Sequence, residues 1–242
     1  METQFGLAHV WSQGDIVTKS VAVLLLLMSL ASWIVILTKA LNLRRLAAQA
    51  RATESFWHSA DFSGGLAQFG ADPANPFRLL ALAGSEATAH VQHKDGHARP
   101  QLHDTLDLSD WVTRSLRNSI DDITANMQSG LAVLASVGST APFVGLFGTV
   151  WGIYHALLAI GLNGQASIDK VAGPVGESLI MTAMGLAVAI PAVLGYNALV
   201  RGNKSVSGKL NRFAHDLHAY FVTGARVSGP GSANVLVMKK GS

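Results

Sequence analysis

Apolar residues are gathered into three long blocks, and polar stretches separate them. The first block, residues 20–38, reads SVAVLLLLMSLASWIVILT; the second is strongest at 131–162, and the third covers 171–200. A helix of about 20 mainly apolar residues crosses the hydrocarbon core of a bilayer, so each block predicts a transmembrane helix. At about 1.5 Å per residue the second and third blocks exceed a core of about 30 Å, and we expect both helices to tilt or to project into water.

Basic residues flank these blocks unevenly, which predicts the orientation of the chain. Lys19 stands alone before the first block, whereas four basic residues follow it and four more follow the third: Lys39, Arg44, Arg45, Arg51, Arg201, Lys204, Lys209 and Arg212. Because Lys and Arg collect on the cytoplasmic side, we expect the amino-terminal segment 1–19 and the loop 163–170 to lie outside, with 39–130 and 201–242 in the cytoplasm. A cleaved signal peptide is the alternative for the first block. The apolar run is longer than that of a typical signal peptide, and KALNLRR follows it in place of a small-residue cleavage site.

The insert 39–130 is predicted to be helical with interruptions. Residues 39–60 are expected to continue the first helix, and a further helix is expected at about 77–95, after two prolines. Apolar positions then recur at helical spacing, which predicts one continuous helix from about 103 to 162. Two surface ion pairs, Asp110 with Arg114 and Arg117 with Asp121, are expected from their i, i+4 spacing. The tail from Gly224 is expected to be loosely attached.

Metal and nucleic-acid sites are not predicted. Four histidines fall close together, but Gly96 and Pro100 disrupt the helix that would hold them, so a solvated loop is the favoured interpretation: His90, His93, His97 and His103. Three aspartates near the start of the following helix favour its positive end, and a cation site there is the weaker alternative: Asp104, Asp107 and Asp110.

Composition narrows the function classes further. Hydrophobic residues make up 49% of the chain and charged residues 14%, and the net charge of +3 comes with no long basic run, which argues against nucleic acid as a partner. The absence of cysteine excludes disulfides and thiolate catalysis. Because no Walker P-loop, HExxH or GxSxG motif occurs, we expect neither an enzyme nor a bound cofactor.

Glu177 is the only carboxylate between Lys170 and Arg201, inside the third apolar block. An ionised group at the centre of a membrane helix costs about 2.5–3.5 kcal/mol on insertion scales. The side chain must therefore find a partner, reach water or bind a proton, and binding a proton is reversible. This makes proton conduction the leading hypothesis.

Counting inward from the short connection predicts which residues of the second and third helices share a level. Thr149 is expected beside Thr182 or Ala183 near the middle of the membrane, and His155 at the shallower level of Glu177. Hydroxyl groups can hold water or pass a proton, so Thr149, Glu177 and Thr182 predict a polar track. The alternative for each threonine is a bond to a carbonyl of its own helix.

His155 has two interpretations, whereas the small residues are interpreted as packing positions. A neutral imidazole at His155 would relay protons, or it would reach the outer interface beside Trp151 and Tyr154. Six small residues are expected to allow close helix packing: Gly145, Gly148, Gly152, Ala183, Gly185 and Ala187.

Two segments, APFVGLFGTVWGIYHAL (141–157) and GPVGESLIMTAMGLAVAIPAVLGYN (173–197), resemble the ExbB/TolQ branch of the MotA/TolQ/ExbB proton channel family. The resemblance implies an all-α membrane protein with three transmembrane helices and long cytoplasmic helical extensions. It also implies a homo-oligomeric bundle, a pentamer, around a central pore in the bacterial inner membrane, with a periplasmic amino terminus.

The resemblance further implies an ExbD-like single-span partner and a TonB-like protein, with proton flow energising outer-membrane uptake of iron-siderophores and cobalamin. It places Thr149, Glu177 and Thr182 along the pore and assigns the main titrating aspartate to the partner. Ser178, Met181 and His155 depart from the residues common in relatives, which concerns the detail of the pore. A TolQ-like role in outer-membrane integrity and a non-conducting membrane scaffold are the alternatives, whereas a MotA-like stator would show four spans.

Overall fold

A computed structural model describes residues 15–92, 107–163 and 168–224. Within these ranges the chain forms seven helices and no strand: α1 Ile16–Gln49, α2 Ala52–Trp57, α3 Phe62–Gln68, α4 Pro76–Gln92, α5 Leu108–Gln128, α6 Leu131–Asn163 and α7 Ile168–Thr223. Three helical stretches of this part are long and apolar enough to cross a membrane: Ile16–Trp57, Leu108–Leu158 and Ser178–Thr223. Each overlaps one of the three predicted spans, so the protein is an all-α, multi-pass membrane protein.

Two compact units make up the chain. The first comprises Met1–Leu43 with Gln128–Gly202, and the second comprises Arg44–Met127 with Asn203–Ser242. The first unit contains all three apolar blocks. The second contains the interrupted helices of the insert and the polar, carboxyl-terminal part of α7.

The predicted continuous helix from about 103 to 162 is wrong at Gly130. The helix ends at Gln128 and a new one starts at Leu131, because Gly130 has a φ of +79°. A left-handed backbone costs an L residue about 1–2 kcal/mol, and glycine avoids that cost. Lys39 Nζ donates a hydrogen bond to Ser129 Oγ at 2.8 Å beside this turn.

Other details of the insert also differ from the expectation. The first helix ends at Gln49, and α2 follows after a turn, so 39–60 is not one continuous extension. Neither predicted surface pair forms: in the described part of the chain no ion pair joins Asp110 to Arg114 or Arg117 to Asp121. Exposed pairs of this kind gain only a few tenths of a kcal/mol, about 0.3–0.5, which does not outweigh the entropy of two long side chains. The predicted loop histidines at 93, 97 and 103, the aspartate at 104 and the tail beyond 224 lie outside the described residues, as does the side chain of His90.

Helices α1, α6 and α7 bury a common apolar core in the first unit. Its fully enclosed members come from all three helices: Val21, Leu25, Val137, Ala141, Met181, Ala189 and Ala192. Where α6 crosses α7, two glycines face each other. A Cβ added to Gly145 would lie 2.5 Å from the carbonyl oxygen of Met181, and one added to Gly185 would lie 2.6 Å from that of Ala141. The two backbones are therefore in direct contact, as small residues permit in membrane helices.

An aromatic cluster forms the core of the second unit. The Phe56 ring packs edge-on against Phe213 and stacks on Phe69, with centroid distances of 5.3 Å in both cases. Asn75 is fully buried, and its side chain accepts from the Phe77 amide and donates to the Phe69 carbonyl, each at 3.0 Å. This side chain connects the start of α4 to the cluster, and only the neighbouring prolines hint at it in the sequence.

We expect Gly185→Ala to destabilise the full chain in detergent by about 1–3 kcal/mol, since the new methyl forces a backbone shift at the crossing. Thermal unfolding followed by circular dichroism measures this loss. The matched control is Gly161→Ala in α6, where an added Cβ meets nothing within 4 Å. Alanine favours a helix over glycine by up to about 1 kcal/mol, so the control should be neutral or stabilised. Equal melting temperatures for the two variants would contradict the close approach of α6 and α7.

Candidate functional site

Thr149 of α6 and Thr182 of α7 lie opposite each other where the helices cross. Their Oγ1 atoms are 2.6 Å apart, within hydrogen-bond distance. The predicted register of the two helices is confirmed at this pair. Ala183, the alternative partner by counting, is exposed on the chain.

Thr149 is only 6% exposed and has three neighbouring oxygens in reach. Its Oγ1 lies 3.2 Å from the Gly145 carbonyl of its own helix and 2.8 Å from the Ser178 carbonyl across the crossing, besides the Thr182 hydroxyl. The bond to its own helix and the contact across helices, which the sequence left as alternatives, therefore occur together. A hydroxyl has one proton to donate, so the three acceptors share it, and the direction of the Thr149–Thr182 bond can reverse without movement of heavy atoms.

Ser178 is a site residue whose contacts the sequence did not predict. It is 5% exposed, and its carbonyl accepts the hydrogen bond from Thr149. A Cβ added to Gly152 would lie 2.6 Å from Ser178 Oγ, so the absence of a side chain at 152 makes room for the serine. The signal available in the sequence was the small residue opposite a small polar one at the predicted level.

Glu177 belongs to α7 and immediately precedes Ser178. Thr149 therefore holds, through the Ser178 carbonyl, the helical turn that carries this acid. The side chain of Glu177 lies outside the described residues. Its titration, its place in a proton path and its level with His155 stay predictions.

His155 is exposed and belongs to an aromatic group on α6. Its Nδ1 lies 3.2 Å from the Trp151 carbonyl, and its ring centroid is 4.6 Å from the Trp151 ring and 5.2 Å from Tyr154. Trp151 Nε1 also donates to Asp15 Oδ2 at 3.3 Å, which links α6 to the start of α1. Such surroundings are typical of side chains at a membrane interface, and the relay role of His155 stays a prediction.

The small residues divide between two environments. Gly145 and Gly152 face α7, and an added Cβ on Gly148 would meet Val21 Cγ1 at 3.0 Å. Ala183 and Ala187 are exposed, so none of the helices that the structure describes covers them. In the described part of the chain no three His, Asp or Glu side chains approach one another closely enough to hold a metal ion.

Comparison with known proteins finds a family match that includes α6 and most of α7. The model of the MotA/TolQ/ExbB proton channel family matches residues 86–212, which include the whole crossing of α6 and α7. The chain belongs to this family. It is 44% identical over 233 residues to the biopolymer transport protein ExbB of Xanthomonas campestris pv. campestris, covering 93% of this chain and 92% of that protein.

Two further relatives are a second ExbB protein and a TolQ protein. The biopolymer transport protein ExbB of Neisseria meningitidis is 41% identical over 210 residues, covering 86% of this chain and 94% of the relative. The Tol-Pal system protein TolQ of Pseudomonas aeruginosa is 34% identical over 212 residues, covering 86% and 89%. The similarity therefore extends to proteins named ExbB and to one named TolQ, and it is greater to these two ExbB proteins.

We expect Thr149→Val to lower the melting temperature of the chain in detergent, because valine keeps the shape but leaves the Ser178 carbonyl and the Thr182 hydroxyl without this partner. Hydrogen bonds between membrane helices contribute about 0.6 kcal/mol on average, up to about 1.7, so the loss should fall in this range. Thr149→Ser should retain most of the stability. Thr140→Val is the matched control on the same helix, since Thr140 is exposed and bonds only to the Ser136 carbonyl. A Thr149→Val protein as stable as this control would argue against the hydroxyl contact.

Proposed function

We propose that this protein is an ExbB-type subunit of a proton channel in the bacterial inner membrane. With an ExbD-like single-span protein it uses the proton motive force to energise a TonB-like protein, which supports outer-membrane uptake of iron-siderophores and cobalamin. Greater identity to proteins named ExbB, 44% and 41%, than to one named TolQ, 34%, supports this branch. The protein is then a channel subunit and not an enzyme.

The pair of hydroxyls at Thr149 and Thr182 is the observation that carries the proposal. Two apolar helices bring these hydroxyls to 2.6 Å, and Thr182 lies five residues, about 7.5 Å along α7, from Glu177, the single acid of the third block. An ionisable residue within a membrane helix is costly to bury and by default marks a functional site, and a hydroxyl bond that can reverse its direction suits proton passage on the same helix. A charge that falls through 100 mV releases about 2.3 kcal/mol, so a few protons supply enough free energy to shift a helix assembly between two states.

The proton pathway requires more than one chain. Three helices do not enclose an aqueous path, and we propose a homopentamer with the partner helices in its central pore. The exposed Ala183 and Ala187, together with exposed apolar residues such as Leu179, Leu186 and Ile190, supply an α7 surface suited to helix contact. The partner then contributes an aspartate as the main titrating group, and Glu177 either carries protons or tunes the field around that aspartate.

The proposed topology follows the basic residues. The amino-terminal segment 1–19 and the loop 163–170 face the periplasm, whereas 39–130 and 201–242 are cytoplasmic, with spans at 20–38, 131–162 and 171–200. The second compact unit is cytoplasmic in this arrangement.

A TolQ-like role is the second candidate. The observation in its favour is the 34% identity to the Tol-Pal system protein TolQ. Growth on ferric siderophores and sensitivity to detergent, measured in a deletion strain complemented with this chain, separate the two roles. Restored growth with unchanged detergent sensitivity is expected for the ExbB-type role, and the reverse pattern supports the TolQ-like one.

We expect Glu177→Gln to reduce proton-driven siderophore uptake about tenfold or more, because loss of about 1.4 kcal/mol of favourable interaction changes a rate tenfold. Glutamine keeps the shape and removes the charge. Radiolabelled siderophore uptake in cells, normalised to the amount of protein in the membrane, measures the effect. Glu54→Gln is the control, because Glu54 is an exposed carboxylate on α2, outside the three apolar blocks.

Glu177→Asp distinguishes the charge from the side-chain length, since it keeps ionisation and should retain more uptake than Glu177→Gln. Full uptake by Glu177→Gln at normal protein levels would reject a role for the ionised acid and favour the scaffold alternative.

We expect the tagged chain to copurify with a single-span partner, and native mass spectrometry to give five copies of this chain in the complex. The physical reason is the exposed apolar surface of α6 and α7, of which Phe143 is 70% exposed and Leu194 is 64% exposed. Neighbouring helices, from other copies of the chain or from the partner, must cover some of that surface if the assembly is to enclose a pore. A stable monomer without a partner would contradict the proposed assembly.

A further inference from the structure

A groove runs between α4 and α5 in the second unit. Its volume is about 610 Å³. Small residues line its base, with Ala83 and Ala87 on α4 and Ser115 and Ser119 on α5. Ser115 Oγ donates to the Ala83 carbonyl at 3.1 Å, which fixes the two helices side by side under the groove.

Two stripes of α5 extend along this α4–α5 groove. Trp111 leads one stripe, followed at intervals of four residues by Ser115 and Ser119, and the other stripe contains Arg114, Asn118 and Asp122. Eight residues of helix span about 12 Å at 1.5 Å per residue. The groove is therefore long enough for a short polypeptide segment of three or four residues in extended form.

Charged groups on both walls of the groove have no partner among the described residues. Glu86 on α4 and Asp122 on α5 are exposed, as is Arg114, and none of the three forms a hydrogen bond or ion pair with any other described residue. Carboxylates outnumber the guanidinium here, although the whole chain has a net charge of +3. The groove is thus a locally acidic surface on a basic protein, with its carboxylates available to an incoming cation.

The groove also supplies the other groups that a bound peptide needs. The Asn118 amide and the Ser119 hydroxyl can bond peptide N–H and C=O groups, and Trp111 gives an aromatic wall of the kind enriched at interface hot spots. A small anionic ligand fits less well, because two carboxylates oppose it.

We propose that the α4–α5 groove binds the basic cytoplasmic segment of the single-span partner. A single-span membrane protein collects Lys and Arg in the segment that flanks its helix on the cytoplasmic side. Such a segment complements Glu86 and Asp122, and Asp122 lies six residues before the end of α5, about 9 Å along the helix. The inference rests on the proposed function, which supplies the partner and places the second unit in the cytoplasm.

The test uses the full chain coexpressed with its single-span partner in membranes. The photo-crosslinking amino acid p-benzoyl-phenylalanine replaces Ser119 at the base of the groove, or Arg117, which is exposed on α5 but does not line the groove. We expect irradiation to join position 119 to the partner, at residues on the cytoplasmic side of its helix by peptide mapping, and position 117 to give a much weaker product.

Charge reversal then tests the basis of recognition. Glu86→Lys with Asp122→Lys should reduce the crosslink from position 119 about fivefold or more, whereas Glu54→Lys with Asp121→Lys changes the net charge equally outside the groove and should leave the crosslink unchanged. Equal loss in the two double variants would show that only the overall charge matters and would overturn the proposal.

The remaining outcomes separate this inference from the proposed function. A partner that copurifies without any crosslink at position 119 overturns the groove proposal and leaves the channel assembly intact. A crosslink to a second copy of this chain, or to lipid alone, also overturns it. Absence of copurification removes the assembly itself and the groove proposal with it.

Discussion

The contact of two glycines, Gly145 and Gly185, is the constraint on which the transmembrane part depends. Neither residue has room for a methyl group, so α6 and α7 approach until their backbones touch. Thr149 lies one turn beyond Gly145, and Thr182 lies three residues before Gly185 on the antiparallel helix. The close crossing therefore brings the two hydroxyls into hydrogen-bond distance, and it places the Ser178 carbonyl within reach of Thr149. A wider crossing would leave each hydroxyl bonded only to its own helix.

Much of this part was predictable from the sequence because its physics is local and periodic. The lengths of the apolar blocks predicted the spans, and counting from a short connection predicted the level of Thr149 and Thr182. Counting does not give rotation about a helix axis, so Ser178 as an acceptor and the split between buried glycines and exposed alanines required coordinates. The pore positions of Thr149, Glu177 and Thr182 depend on neighbouring chains and stay predictions.

The second unit was harder to predict, since its core joins residues far apart in the chain. Phe56 and Phe213 meet across more than 150 residues, and no spacing rule connects them. The expected surface pairs of α5 failed for the opposite reason: local spacing permitted them, but exposed charges gain too little from pairing. Of these four charged residues only Arg114 lines the α4–α5 groove.

The turn at Gly130 has a consequence for how the chain tolerates changes in length. In an uninterrupted helix, one inserted or deleted residue rotates everything beyond it by about 100°. Because α6 starts afresh after Gly130, the turn at 129–130 can absorb the rotation that an insertion in α5 causes, and the azimuth of Thr149 is then set by the packing of α6 on α7 alone. Helices of the second unit can thus lengthen or shorten by single residues while the crossing of α6 and α7 keeps its facing side chains.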